Sequence, residues 1–276
     1  MRYYALAFGL FSLLAAQQAH ANLLISPVKI EFTERDRMQE ITLVNNGTET
    51  RSYRVEWEEK KALPQGGYQI LTAEEVKTFP IASSMLRFSP RQVTLKPRER
   101  QTVKLMLRRQ ANLKNGSYRS NLKFVALPPI QKIDAPAEGM SIRIDPLMSY
   151  SLPVTVHQGP LNYQVQIAST DFVFNAKKQQ GDIKVVMNRS GSSAVRVNVI
   201  AYWTPAGEAE RIIARTNDIS LFPEVSSRTT NLAWATDKFT NKAGKLRIAV
   251  EGVKLLNGTV LAEKTQSFSS IKTVSQ

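Results

Sequence analysis

Val103-Lys104-Leu105-Met106-Leu107-Arg108 sends Val103, Leu105 and Leu107 to one face and Lys104, Met106 and Arg108 to the other. Successive side chains of a strand point to opposite faces, so this period describes a ribbon with one buried and one wet side. The same period returns on both flanks. Upstream, Tyr53, Val55 and Trp57 alternate with Arg54, Glu56 and Glu58, and downstream Leu122, Phe124 and Ala126 alternate with Asn121, Lys123 and Val125. The second half repeats the pattern in Leu161, Tyr163, Val165 and Ile167, in Val195, Val197 and Val199, and in Leu246, Ile248 and Val250. Short runs of this kind between turn residues predict a sandwich or barrel, and no stretch reads as a long amphipathic helix. Asn46-Gly47, Asn115-Gly116 and Asn257-Gly258 supply the turns, because both residues accept positive φ. Each pair, like Asn188-Arg189-Ser190, also fits Asn-x-Ser/Thr, but turn chemistry accounts for the Asn-Gly pairs.

The first residues read as an export signal. Arg2 gives a positive start, Leu6 to Ala16 an apolar run, and Ala19-His20-Ala21 small residues about a cleavage point. Residues 1–21 are therefore expected to leave, with the mature chain starting near Asn22. No later stretch approaches the ~20 apolar residues of a membrane span, so a soluble protein outside the cytosol is expected, with no stable membrane insertion. There is no cysteine among the 276 residues, so stability must come from apolar burial and not from disulfides. The length suits two domains, each large enough for its own core. The boundary is expected where Val154-Thr155-Val156 gives way to His157-Gln158-Gly159-Pro160, a bend beginning about Pro153 that divides 22–156 from 157–276. Ala135-Pro136-Ala137-Glu138-Gly139 reads as a loop between strands of the first domain.

A formal charge of +14 invites a nucleic-acid reading. Export argues against it, as does the scatter of Lys and Arg through strands and turns. The densest patch, Lys96-Pro97-Arg98-Glu99-Arg100 with Arg108-Arg109, reads as a solvated rim or a guard on a strand edge. Chemistry is sparse. Of two histidines, His20 belongs to the signal, and His157 alone cannot build a zinc site or a Ser-His or Cys-His pair. Glu58-Glu59 and Glu74-Glu75 are neighbouring acids that a strand would point apart. The expectation is a binding protein, not an enzyme, with no cofactor and no metal.

The order of motifs in the first half resembles the PapD-like periplasmic chaperones of the chaperone-usher pilus pathway. Ile25-Ser26-Pro27-Val28-Lys29-Ile30-Glu31-Phe32 looks like that family's first strand, and Ile41-Thr42-Leu43-Val44-Asn45-Asn46 like its second. Leu86 to Pro97, followed by Gln101-Thr102-Val103-Lys104-Leu105, resembles the family's most recognisable stretch. Gly116-Ser117-Tyr118-Arg119-Ser120-Asn121-Leu122 and Leu127-Pro128-Pro129 look like the sixth strand and the loop after it. The resemblance covers nearly all of the first half. In the second it is mainly a match of strand spacing.

The resemblance implies an all-β fold of two Ig-like sandwiches joined at a bend, an L shape. It implies a seventh strand, about 140–150, whose Met140, Ile142 and Ile144 complete a pilus subunit that lacks its own last strand. Residues filling this protein's own core would alternate in the same way. The partners it implies are pilus subunits with incomplete Ig-like domains and an outer-membrane usher. It also implies two basic residues in the cleft that hold the subunit's terminal carboxylate. One corresponds to Lys29. The family's second, a lysine before Tyr-Arg-Pro, is missing from Met148-Ser149-Tyr150-Ser151-Leu152-Pro153, which suggests an archaic or alternative branch. If the sixth strand starts at the hinge end, antiparallel to the seventh, Arg119 lies there and becomes the expected main anchor, with Lys29 in support and Arg143 as an outsider. The competing reading is a structural or adhesive Ig-like exported protein.

Overall fold

The computed structural model describes residues 23–128, 147–237 and 239–274. The signal segment, the loop at 135–139, and Met140, Ile142, Arg143 and Ile144 lie outside the described residues. The first unit runs β1 (Leu23–Ser26), β2 (Ile30–Phe32), β3 (Met38–Asn45), β4 (Arg51–Glu58), β5 (Lys60–Ala62) and β6 (Tyr68–Ile70). It continues with the helix α1 (Ala73–Thr78), then β7 (Leu86–Ser89), β8 (Gln92–Leu95), β9 (Arg100–Leu107), β10 (Gly116–Ala126) and β11 (Tyr150–Gln158). The second unit holds β12 (Gln164–Asn175), β13 (Gln180–Ser190), β14 (Val195–Pro205), β15 (Arg211–Leu221), β16 (Ser227–Trp234), β17 (Gly244–Gly252), β18 (Val260–Phe268) and β19 (Lys272–Val274). The fold is all-β in two units, as the alternation predicts.

In the first unit a sheet ordered β1-β3-β9-β7 faces another ordered β2-β11-β10-β4-β8. The predicted apolar faces meet between them, with Val103, Leu105, Tyr53, Val55, Leu122 and Phe124 all in one core. Burying each such side chain favours the fold by about 1.5–3 kcal/mol. Trp57 and Ala126, from the same alternating sets, pack only at the margin.

The second unit is a continuous sheet ordered β18-β17-β14-β15-β16-β13-β12-β19. Its two four-stranded halves share a short ladder, Ala214 opposite Trp234 and Arg215 opposite Ala233, so the halves fold towards each other like the layers of a sandwich. Between them sit Val197, Val199, Leu246, Ile248 and the fully buried Trp203. Trp203, Phe172, Trp234, Phe239 and Phe268 form an aromatic cluster, with Trp234 and Phe239 centroids 5.3 Å apart. Gly181 on β13 lies under it, where a Cβ would come 2.3 Å from the Trp234 ring.

Two local details depart from the sequence reading. β11 does not break at Pro153: its pairing with β10 runs from Tyr150 opposite Phe124 to Gln158 opposite Gly116. Pro153 fits because β2 pairs only with Val154, Thr155 and Val156, so no neighbour on that side requires its missing N–H. Leu161 and Tyr163, taken as the start of an alternating strand, precede β12, which opens at Gln164.

Candidate functional site: the cleft at the junction

β2, β11 and β10 lie side by side, and their register places Glu31, Thr155 and Arg119 in one row across the sheet. Residues in such a row share a face. This face, at the end where the chain passes to β12, meets the second unit. Ser117 N–H donates to the Ser192 carbonyl at 2.9 Å, and Ala194 N–H donates to Ser117 Oγ at 2.8 Å.

Arg119 reaches into this junction with only 4 % of its side chain exposed. Its guanidinium centre lies 4.2 Å from the centroid of Phe222, with Tyr68 and Phe79 rings at 5.5 and 5.8 Å. Nη2 donates to the Glu224 carboxylate in a short, partly buried ion pair. The same carboxylate oxygen accepts from Ala62 N–H at 3.1 Å. The expected anchor thus already holds a carboxylate, supplied by the second unit.

Lys29, just before β2, stands in the same position with respect to Asp218. Its Nζ lies 3.2 Å from the Asp218 carboxylate and also donates to the Asp218 carbonyl. Asp218 sits in a bulge between β14 and β15, at φ 58, a left-handed conformation that aspartate tolerates better than most residues. Arg196 on β14 extends the chain of charges, 2.6 Å from Asp218 and 3.1 Å from Glu31. Burial pushes the Asp218 and Glu31 carboxyls up. Hydrogen bonds outweigh it, from Arg196 and Lys29 to Asp218 and from Arg196 to Glu31, with the nearby His157 ring adding to the second, and both carboxyls stay below the usual range.

The hairpin of β5 and β6 crosses from the first unit to the second. Thr229 N–H on β16 donates to the Pro64 carbonyl at 2.9 Å, and Arg228 Nη1 donates to the Leu63 carbonyl at 3.0 Å. Gly66 at the hairpin tip makes this approach possible. Its φ is +104°, and a Cβ there would stand 3.0 Å from the Arg228 guanidinium. Beneath the hairpin, where β15 and β16 splay beyond their two shared residue pairs, lies a cavity of about 320 Å³. Lys29, Leu63, Tyr68, Asp218, Phe222 and Arg228 contribute to its wall. Arg228 is half-buried and, among the described residues, has no carboxylate partner.

The fold brings the two expected cleft residues, Lys29 and Arg119, to one junction. The second-unit residues Arg196, Asp218, Glu224 and Arg228 escape a reading based on alternation, because each is one polar residue in or beside an ordinary strand. Asn217-Asp218 within a strand does carry a bulge signal, as polar residues that favour turns interrupt a ladder there. No group of His, Cys, Asp and Glu among the described residues is arranged to hold a metal ion, and no helix among them is long and apolar enough to cross a membrane.

No protein-family model matches the chain, and no curated protein does. Among solved structures the chain is similar to the YadV chaperone at 10 % identity, covering 90 % of this chain and 100 % of that one, with a TM-score of 0.45. It is similar to the Pseudomonas aeruginosa CupB2 chaperone at 11 % identity, with 90 % and 100 % covered and a TM-score of 0.45. A chaperone and tip-subunit complex, CsuC–CsuE of the archaic chaperone-usher Csu pili of Acinetobacter baumannii, matches at 12 % identity over 92 % and 100 %, with a TM-score of 0.43. At TM-scores below 0.5 these likenesses decide nothing about function.

Proposed function

We propose that this chain is an exported assembly chaperone of the PapD-like kind. It captures pilus subunits that lack a strand, completes them with its own segment before β11, and passes them to an outer-membrane usher. One observation supports this reading above the others. β11 is paired with β10 along its whole length, yet β2 covers its other edge only from Val154 to Val156. Among the described residues Tyr150 to Pro153 have no strand on that side, and Leu147 and Met148 just before them are exposed. An open, one-sided edge continuous with an apolar segment is what strand addition requires, since main-chain groups set the register and alternate side chains fill the partner's core. Met140, Ile142 and Ile144 are the proposed filling residues.

The cleft supplies cations for the subunit's terminal carboxylate. Lys29 faces the cavity and has a carboxylate partner it can exchange. Arg228 faces the same cavity and supplements Lys29 and Arg119. Arg119 reaches a ligand only if Glu224 gives way, so the proposal assigns it to the cleft wall as well as to anchoring. The role is one of binding, in the periplasm, without catalysis.

Co-expression in a periplasm with a subunit encoded beside this gene tests the reading. Wild-type protein should purify as a one-to-one complex, and Ile142→Asp with Ile144→Asp should abolish it while the free chain unfolds at the wild-type denaturant concentration. Retained capture by the double variant would overturn strand donation.

A further inference from the structure

His157 is the one histidine beyond the signal segment, and it is buried on β11 at the junction. Its Nδ1 lies 3.0 Å from Ser117 Oγ on β10, the hydroxyl that accepts from Ala194 of the second unit. Its Nε2 has no hydrogen-bond partner and faces Glu31 Oε1 on β2 at 3.9 Å. That is too long for a hydrogen bond but close enough for a strong charge interaction. Other charged groups surround the ring. Arg196 of β14 holds the second oxygen of Glu31, and beyond it stand Asp218 of β15 and Lys29. Arg109, after β9, donates to the His157 carbonyl at 3.1 Å. Glu34 and Arg35 share with His157 the wall of an open groove.

Ser117 can donate to a neutral Nδ1 or accept from a protonated one, so the ring keeps this bond in either charge state. In the neutral ring whose Nδ1 accepts from Ser117, Nε2 already carries its hydrogen; a proton taken up at Nδ1 makes that N–H a charged donor aimed at Glu31. Glu31 and His157 belong to the same unit and occupy adjacent strands, whereas Arg196 belongs to the other. To bring Glu31 Oε1 from 3.9 Å into hydrogen-bond reach of a protonated ring, the carboxylate must swing away from Arg196, so a partner within the unit competes with a partner across the junction.

We propose that His157 is a proton-operated release for the junction. When the ring takes a proton, Glu31 turns to it, Arg196 keeps only Asp218 of its own unit, and one of the ties between the units is lost. The Lys29–Asp218 and Arg119–Glu224 pairs remain as a looser hinge, and the cleft gains freedom to open. Cleft mobility is thereby placed under the control of the surrounding medium. The inference stands on the junction's geometry and does not require the proposed subunit.

The absence of cysteine permits a clean test. Gln92→Cys on β8 and Ser267→Cys on β18, both exposed, place one spin label on each unit of the full mature chain. Pulsed dipolar distances should be narrow at pH 7.5 and about twice as broad at pH 5.0, with a midpoint that follows the His157 ring by NMR. His157→Gln should stay narrow at both pH values, and Glu31→Gln should be broad at both. A width that does not change while the ring titrates overturns the proposal, as does a ring that stays neutral to pH 5.0. The unsubstituted ring's titration and the width decide the matter even if either variant fails to fold.

Discussion

Arg119 shows how an isolated residue is judged by what it touches. A strand-start arginine is ordinarily solvated and contributes little to stability. This one lies against Phe222, Tyr68 and Phe79 and pairs with Glu224 in a partly buried junction. Removing one partner of a fully buried pair costs about 3–5 kcal/mol, and because the Glu224 carboxylate left here keeps some contact with solvent, the cost falls to about 3 kcal/mol or less. Arg119→Ala should therefore lower the unfolding free energy by about that amount in urea titration. Adding Glu224→Gln to it should cost less than the sum of the two single changes. Arg119→Lys should not restore stability, because a compact ammonium cannot stack on Phe222 as the planar guanidinium does. A negligible loss in Arg119→Ala would show that the pair is not formed in solution, and Arg119 would then be free to anchor a ligand directly.

Among the elements, the strands follow from alternation because burying one face of a two-residue period is the cheapest way to satisfy it. The exceptions have physical causes. α1 is only six residues long, too short for a helical period to register, although Thr72 and Glu75 carry its capping box openly in the sequence. The β5–β6 hairpin has no buried residue in either strand, so no pattern announces it. Its purpose is visible only where its tip meets β16. Gly181 is similarly silent. It occupies β13 because the Trp234 and Phe172 rings leave no space for a Cβ. Gly181→Ala should destabilise the second unit by about 1–3 kcal/mol through overpacking. Near-ultraviolet circular dichroism and urea unfolding should both register it, and an unchanged midpoint would mean that the aromatic cluster yields at no cost.

On the scale of the whole molecule, two cores are held together by a few charged and main-chain contacts, so the junction and not the cores sets the freedom of the cleft. The Lys29–Asp218, Arg196–Glu31 and Arg119–Glu224 pairs all cross it. Lys29→Met, Glu31→Gln and Arg119→Met combined should separate calorimetric unfolding into two transitions, while each core keeps its far-ultraviolet signature. One sharp transition in that triple variant would place the coupling elsewhere, with the β5–β6 hairpin the next contact to cut. The sequence alone determined the all-β class and the two cores, which depend on a local period written in consecutive residues, while Lys29 was singled out only by the family resemblance and Arg119 by an assumed strand order. Only the tertiary structure decided that Arg119 is already paired, that Arg228 lies at the cavity with no carboxylate partner among the described residues, and that His157 faces Glu31. Arg119 and Glu224 stand 105 positions apart in sequence and His157 and Glu31 further still, and packing over such separations, which no local pattern encodes, is what sets these contacts.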